Sequence, residues 1–210
     1  MGSGGSGGTA GGGTGGSVGS LGPPGPFACT QFIGYSQTEQ WYGAFQAEVT
    51  DAKWELRWAG GHGVDVWKDP GAAGWSAALV SPCDESSNDV ERVQFSISGP
   101  HGSDVSAWEA DIEEALNTFR SKLPQAHVFV LEPVVGGPNM NCSRADEQNP
   151  FVLEAIKNVA ARDAEVYVGY DAHVDSCSQF QDTLGHLTSS AASQIGTEIG
   201  QFYAANLPDP

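Results

Sequence analysis

The sequence predicts a three-layer α/β/α sandwich around a five-stranded, mainly parallel sheet. Two observations predict it. Short apolar runs alternate with stretches of helical spacing from about residue 28 onward, and several of those runs open into loops bearing Gly, Ser or Pro. Strict alternation of strand and helix calls for parallel strands with helices on both faces, and such sheets carry their sites at the carboxyl ends of the strands.

Taken in order, Cys29 to Gly34 reads as the first strand, and Thr38 to about Val49 as a helix with Trp41, Phe45 and Val49 on one side. Trp54 to Trp58 alternates like a strand, as does Val64 to Trp67 beyond the Gly60-Gly61-His62-Gly63 turn, and the first of the two is expected to join the sheet. Gly71 to Leu79 reads as a loop running into a short helix. Val93 to Ile97 is a buried strand that ends at Ser98-Gly99-Pro100-His101-Gly102. The clearest helix runs from Asp104 to Leu123, with Trp108, Ile112, Leu116 and Phe119 on one face and acids early, where the helix dipole favours them; Pro124 ends it. His127 to Leu131 is a fourth strand, opening into Gly136-Gly137-Pro138-Asn139. Phe151 to Ala161 is a helix and Glu165 to Gly169 a fifth strand. Leu187, Ala191, Ile195, Ile199 and Phe202 mark a terminal helix starting just after His186.

Residues 1–26 stand apart. They are almost entirely Gly, Ser, Thr and Ala, then Pro, and read as a disordered Gly/Ser-rich tether ahead of a single domain over 27–210. That domain is long enough to bury a large core, to which six Trp, nine Phe and five Tyr contribute. The net charge of −17 speaks against nucleic acid and anionic membranes as partners, because their phosphates would be repelled. No run approaches the roughly eighteen apolar residues of a membrane-spanning segment, and no signal peptide precedes the tether. A monomer is expected.

Four cysteines, Cys29, Cys83, Cys142 and Cys177, form an even set without the Cys-x-x-Cys spacing of a zinc site. Two disulfides, and hence a secreted, periplasmic or surface-tethered protein, are one reading; four buried thiols in a cytosolic protein are the other. Asp171, His173 and Asp175 share a loop but lack a further ligand at suitable spacing, so no metal is expected. The glycine-rich turns lack the Lys-Ser/Thr of a phosphate loop.

One set of residues points to chemistry. Ser36 follows the first strand in Gly34-Tyr35-Ser36, and Asp182 and His186 stand together just before the last helix. A serine hydroxyl becomes a competent nucleophile when a neutral imidazole takes its proton and a carboxylate holds that imidazole in the right tautomer. Ser36, His186 and Asp182 can fill those roles. Singly, each has a plainer reading: a helix-capping serine, a satisfied histidine at a helix start and a solvated loop acid.

In this layout residues 28–207 resemble the SGNH (GDSL-like) hydrolases. Gly34-Tyr35-Ser36 stands where that family has Gly-Asp-Ser, with Tyr in place of Asp. Gly74 corresponds to the family's second-block glycine, whose N–H helps bind an oxyanion, with Gly71 as a second candidate. Gly99-Pro100-His101-Gly102 aligns with Gly-x-Asn-Asp, so His101 stands at the oxyanion-binding Asn, and Asn139 is the other possible donor. Asp182 and His186 are one residue further apart than the family's Asp-x-x-His, a difference that a turn at Gly185 can absorb.

The resemblance implies a flavodoxin-like fold and a serine esterase that works through an acyl-enzyme without a cofactor, on a small-molecule or polysaccharide ester. Trp41, Trp67, Trp75 and Trp108 near strand ends tilt the expectation toward carbohydrate deacetylation. The alternative is a catalytically inactive carbohydrate-binding module on the same fold. The topology also pairs the cysteines: Cys29 with Cys83 at the amino end of the sheet, and Cys142 with Cys177 at the carboxyl end.

Overall fold

The computed structural model describes residues 22–23, 25–50, 53–83 and 89–206. The tether expected over 1–26 lies outside them except at 22–23 and 25–26. The elements are β1 (Cys29–Gly34), α1 (Ser36–Glu48), β2 (Trp54–Trp58), α2 (Val64–Trp67), β3 (Val90–Ile97), α3 (Val105–Lys122), β4 (Val128–Pro133), α4 (Arg144–Ala160), β5 (Val166–Val168) and α5 (Ser189–Asn206). Short 3₁₀ turns at Ala73–Ser76 and Cys177–Gln179 complete the order.

The strands lie in the order β2-β1-β3-β4-β5, and every neighbouring pair is parallel. The chain leaves β1 toward β2 on one side and passes to β3 on the other. The crevice of such a doubly wound sheet forms at that reversal, outside the carboxyl ends of β1 and β3.

The sheet is buried on both faces, and side chains alternate between them. On β4, Val128 and Val130 join Phe32, Trp41, Phe45, Ile195, Ile199 and Tyr203 under α1 and α5. Phe129 and Leu131 join Ile33, Val93, Phe95, Trp108, Ile112 and Phe119 under α3 and α4. The α1–α5 contact is close because Gly196 and Gly200 have no side chain to hold the helices apart. A Cβ at Gly196 would run into the Trp41 carbonyl, and one at Gly200 would lie 2.9 Å from that of Phe45.

Three sequence expectations are corrected. Val64 to Trp67 is a helical turn, because its two buried residues, Val64 and Trp67, are three apart and share one side. Helix α4 begins at Arg144 rather than Phe151: Ser143 caps it by accepting from the Asp146 N–H at 3.2 Å, and Pro150 sits inside it. A proline within a helix removes one backbone bond, and here the turns ahead of it are kept. Helix α1 likewise begins at Ser36 itself, directly off the strand.

Both expected disulfides are present, Cys29–Cys83 and Cys142–Cys177, with Cα atoms 5.9 and 4.8 Å apart. Paired cysteines fit an oxidising compartment. Among the described residues no helix is long and apolar enough to cross a membrane.

Candidate active site

Ser36 is the first residue of α1, and Tyr35, the N-cap, is extended at φ −132°. The strand therefore turns into a helix within one residue, and the serine stands at the carboxyl edge of the sheet beside the β1/β3 reversal. As the first helical residue it also has a backbone N–H with no partner in the preceding turn.

The last loop brings the other two residues to it. Ser36 Oγ lies 2.7 Å from His186 Nε2, and His186 Nδ1 lies 2.7 Å from Asp182 Oδ2. A carboxylate only accepts, so Nδ1 carries the hydrogen, and in the neutral ring Nε2 is left to accept from the serine hydroxyl. The second carboxylate oxygen, Asp182 Oδ1, accepts from the N–H groups of Leu184, Gly185 and His186 at 3.0, 3.0 and 3.1 Å. Gly185 adopts φ +105°, a conformation that a side chain disfavours, and its turn absorbs the additional residue between acid and histidine. Burial raises the Asp182 pKa, but the bonds from the His186 ring and from the backbone N–H groups of His186 and Gly185 outweigh it, so the carboxyl is held below its ordinary range.

Two glutamines that sequence reasoning passed over hold this loop against α1. Gln37 is buried. Its amide nitrogen donates to the Gly185 carbonyl at 2.8 Å, while its Oε1 accepts from the Tyr35 hydroxyl at 2.8 Å and the Val135 N–H at 3.1 Å. Gln40 grips both backbone groups of Leu187, accepting from its N–H at 2.9 Å and donating to its carbonyl at 3.2 Å. The available signal was position: both are amides on the turn that follows the serine, the face the last loop must cover.

A cleft of about 330 Å³ opens over the serine, lined by Ser36, Gly63, Ser98, Arg144, Gln148 and His186 among others. None of the three predicted oxyanion residues lines it. Gly74 sits in the 3₁₀ turn against the Trp67 indole. His101 turns to Asp111, with Nε2 2.8 Å from Oδ2, and sets its ring edge-on to Trp108. Asn139 accepts from the Asn141 N–H at 3.2 Å beside the Cys142–Cys177 bridge. The glycine that reaches the cleft after β2 is Gly63, where the Ser98 carbonyl and the Gly99 backbone leave no room for a Cβ. Its N–H has no hydrogen-bond partner among the described residues. The carbonyl of Gly99 accepts from Gln148 Nε2 at 2.8 Å, which pins the loop after β3 to α4.

The tryptophans do not form a platform. Trp41, Trp67 and Trp108 are fully buried, and Trp75 packs edge-on to Trp67 and Phe119. Among the described residues the one cluster of three metal-ligand side chains is Cys29, Glu55 and Cys83, in which the two cysteines form the disulfide.

The fold superposes on solved structures of carbohydrate esterases and of a G-D-S-L lipolytic protein. A family two carbohydrate esterase from Clostridium thermocellum superposes with a TM-score of 0.56 at 16% identity, over 87% of this chain and 65% of that one. The chain thus spans less than two thirds of that esterase. A family 3 carbohydrate esterase from Talaromyces cellulolyticus superposes at 0.56 and 14% identity, over 82% and 94% of the two chains. A protein of the G-D-S-L lipolytic family from Desulfitobacterium hafniense gives 0.54 at 9% identity, over 86% and 99%.

The chain has the SGNH hydrolase fold. At these identities the likeness is one of fold; no family model and no curated relative matches the sequence. Within the SGNH fold, Ser36 stands after β1 and His186 shortly before α5, as the sequence resemblance implied. After β2, Gly63 lines the cleft and Gly74 does not.

Proposed function

We propose that the protein is a serine esterase that deacetylates carbohydrate through an acyl-enzyme. The observation that carries the esterase is the hydrogen-bonded chain from Ser36 through His186 to Asp182, at the mouth of a cleft on the carboxyl edge of the sheet, and the likeness in fold to carbohydrate esterases supports carbohydrate as the substrate. Ser36 Oγ attacks the ester carbonyl while His186 Nε2 takes its proton, and Asp182 stabilises the imidazolium that forms. The negative charge on the carbonyl oxygen is met by the backbone N–H groups of Ser36 and Gly63. His186 returns its proton to the leaving alcohol, and water, deprotonated by the same imidazole, then releases the acid and restores the serine. The steps call for no cofactor. In this reading the protein is a secreted or surface-tethered monomer, and residues 1–26 are its tether.

A non-catalytic sugar-binding module on the same fold is the second reading, favoured by one observation: His101, at the position of the family's Asn, points away to Asp111. Fluorophosphonate labelling separates the two. An adduct on Ser36, absent in Ser36→Ala and at least about a hundredfold slower in His186→Ala, together with hydrolysis of short-chain aryl esters, supports the esterase. A folded protein that neither labels nor hydrolyses such esters is the binding module.

A further inference from the structure

The cleft over Ser36 adjoins a second hollow of about 410 Å³, and the two share Pro100, Arg144 and Gln148 in their walls; Phe151 lines the second alone. Arg144 stands at the junction. Its setting is unlike that of the other four arginines. Arg120 and Arg162 each bind two carboxylates. Arg57 donates to the Gln31 side chain and to the Trp75 and Ala77 carbonyls, and Arg92 donates to Thr30 between the Phe27 and Trp54 rings. The Arg144 guanidinium makes no ion pair among the described residues, and its one recorded bond is a long contact of 3.4 Å to the Gly99 carbonyl.

Arg144 is exposed, and it is the one Lys or Arg among the residues that line either hollow. It is also the first residue of α4, where the helix dipole disfavours positive charge and an incoming anion is favoured. Its backbone is also fixed relative to the candidate triad, since the Arg144 N–H donates to the Thr183 carbonyl at 2.9 Å, in the turn between Asp182 and His186. The acids that line the two hollows, Asp65 and Glu147, leave this guanidinium unpaired.

We infer that Arg144 receives a carboxylate on the alcohol part of the substrate, so that the favoured ester is one on an acidic sugar. A guanidinium presents paired N–H donors that match the two oxygens of a carboxylate. With the acyl group at Ser36, the alcohol runs into the second hollow past Arg144. This assignment of substrate class rests on the esterase reading.

The test compares an acetylated methyl glucuronoside with the acetylated methyl glucoside of the same pattern. Wild type favours the acidic ester in kcat/KM by about tenfold or more, the scale of one charge-assisted pair. In Arg144→Gln that preference collapses, through KM for the acidic ester, and Arg144→Lys keeps part of it. Equal rates in wild type, or equal losses on both esters in Arg144→Gln, would overturn the inference. If neither ester turns over, labelling at Ser36 decides whether the esterase reading stands, and calorimetry decides Arg144 separately. Tighter binding of methyl glucuronoside than of methyl glucoside by wild type, lost in Arg144→Gln, supports the inference; equal binding overturns it.

Discussion

At the scale of single residues, the candidate site depends on how few atoms hold His186 in place. Its ring is fixed at Nδ1 by Asp182, and its loop is tied to α1 by Gln37 and Gln40. Gln37 joins three segments with one amide: the loop of the histidine, the loop after β4 and the Tyr35 hydroxyl next to the serine. Replacing it with leucine leaves the Gly185 carbonyl and the Val135 N–H without partners in a buried place. Each such loss costs about 1–3 kcal/mol. Gln37→Leu is therefore expected to unfold at lower denaturant and to lose about tenfold or more in kcat with KM for aryl esters little changed, because the proton-accepting ring drifts while the cleft stays. A variant that loses stability but keeps its kcat would show that the amide supports only the fold. Ser36 and His186 were legible in the chain, since strand end and following helix can be read from periodicity. Gln37 was not: a buried glutamine on a helix has no one-dimensional signature until its partners, 98 and 148 positions away, are known.

At the scale of elements, β4 and α5 meet through an acid in the core. Glu132 accepts from the Tyr203 hydroxyl at 2.7 Å, and Tyr203 in turn accepts from Gln94 on β3. Burial pushes the Glu132 carboxyl up to about 8, against its ordinary 4.5, and the bonds from Tyr203 and Gln94 offset only part of that. The unfolded chain gives up this proton near 4.5 and the folded chain near 8, so between those values the folded state binds more protons. The stabilising contribution is thus fully present below the first value and is lost as the pH rises to the second. Glu132→Gln should flatten that decline: melting temperatures of variant and wild type, followed from pH 5 to 9, should diverge in favour of the variant toward the alkaline end. Parallel curves would mean that Glu132 is ionised in the folded protein at neutral pH. Element boundaries were read less well than element kinds. The turn at Val64–Trp67 was too short for its period to be told from alternation, and α4 runs through a proline. The turns of α4 ahead of that proline carry Arg144, which lines the cleft.

At the scale of the whole molecule, two disulfides brace opposite ends of one sheet. Cys29–Cys83 ties the start of β1 to the segment after β2, and Cys142–Cys177 ties the loops after β4 and β5, across 54 and 35 positions of chain. Closing loops of that length restricts the unfolded chain by roughly 2–4 kcal/mol each. Replacing Cys142 and Cys177 together with serine should lower the unfolding free energy by that amount in non-reducing buffer. In reducing buffer the same comparison with wild type should show almost no difference; a loss of equal size in both would assign the effect to side-chain packing.

Taken alone, the amino-acid sequence determined the alternation of strands and helices, the layers that follow from it, the cysteine pairing, and the Ser, Asp and His that the fold brings together. These depend on local periodicity and on chain order, which one dimension records. The tertiary structure decided which glycine faces the serine, where His101 and Asn139 turn, that the tryptophans are core, and that Arg144 looks into the cleft without a partner. Those outcomes depend on which of several nearby backbone groups points inward and on contacts between residues far apart in the chain. Spacing cannot carry that information, because direction and long-range proximity exist only once the chain has folded.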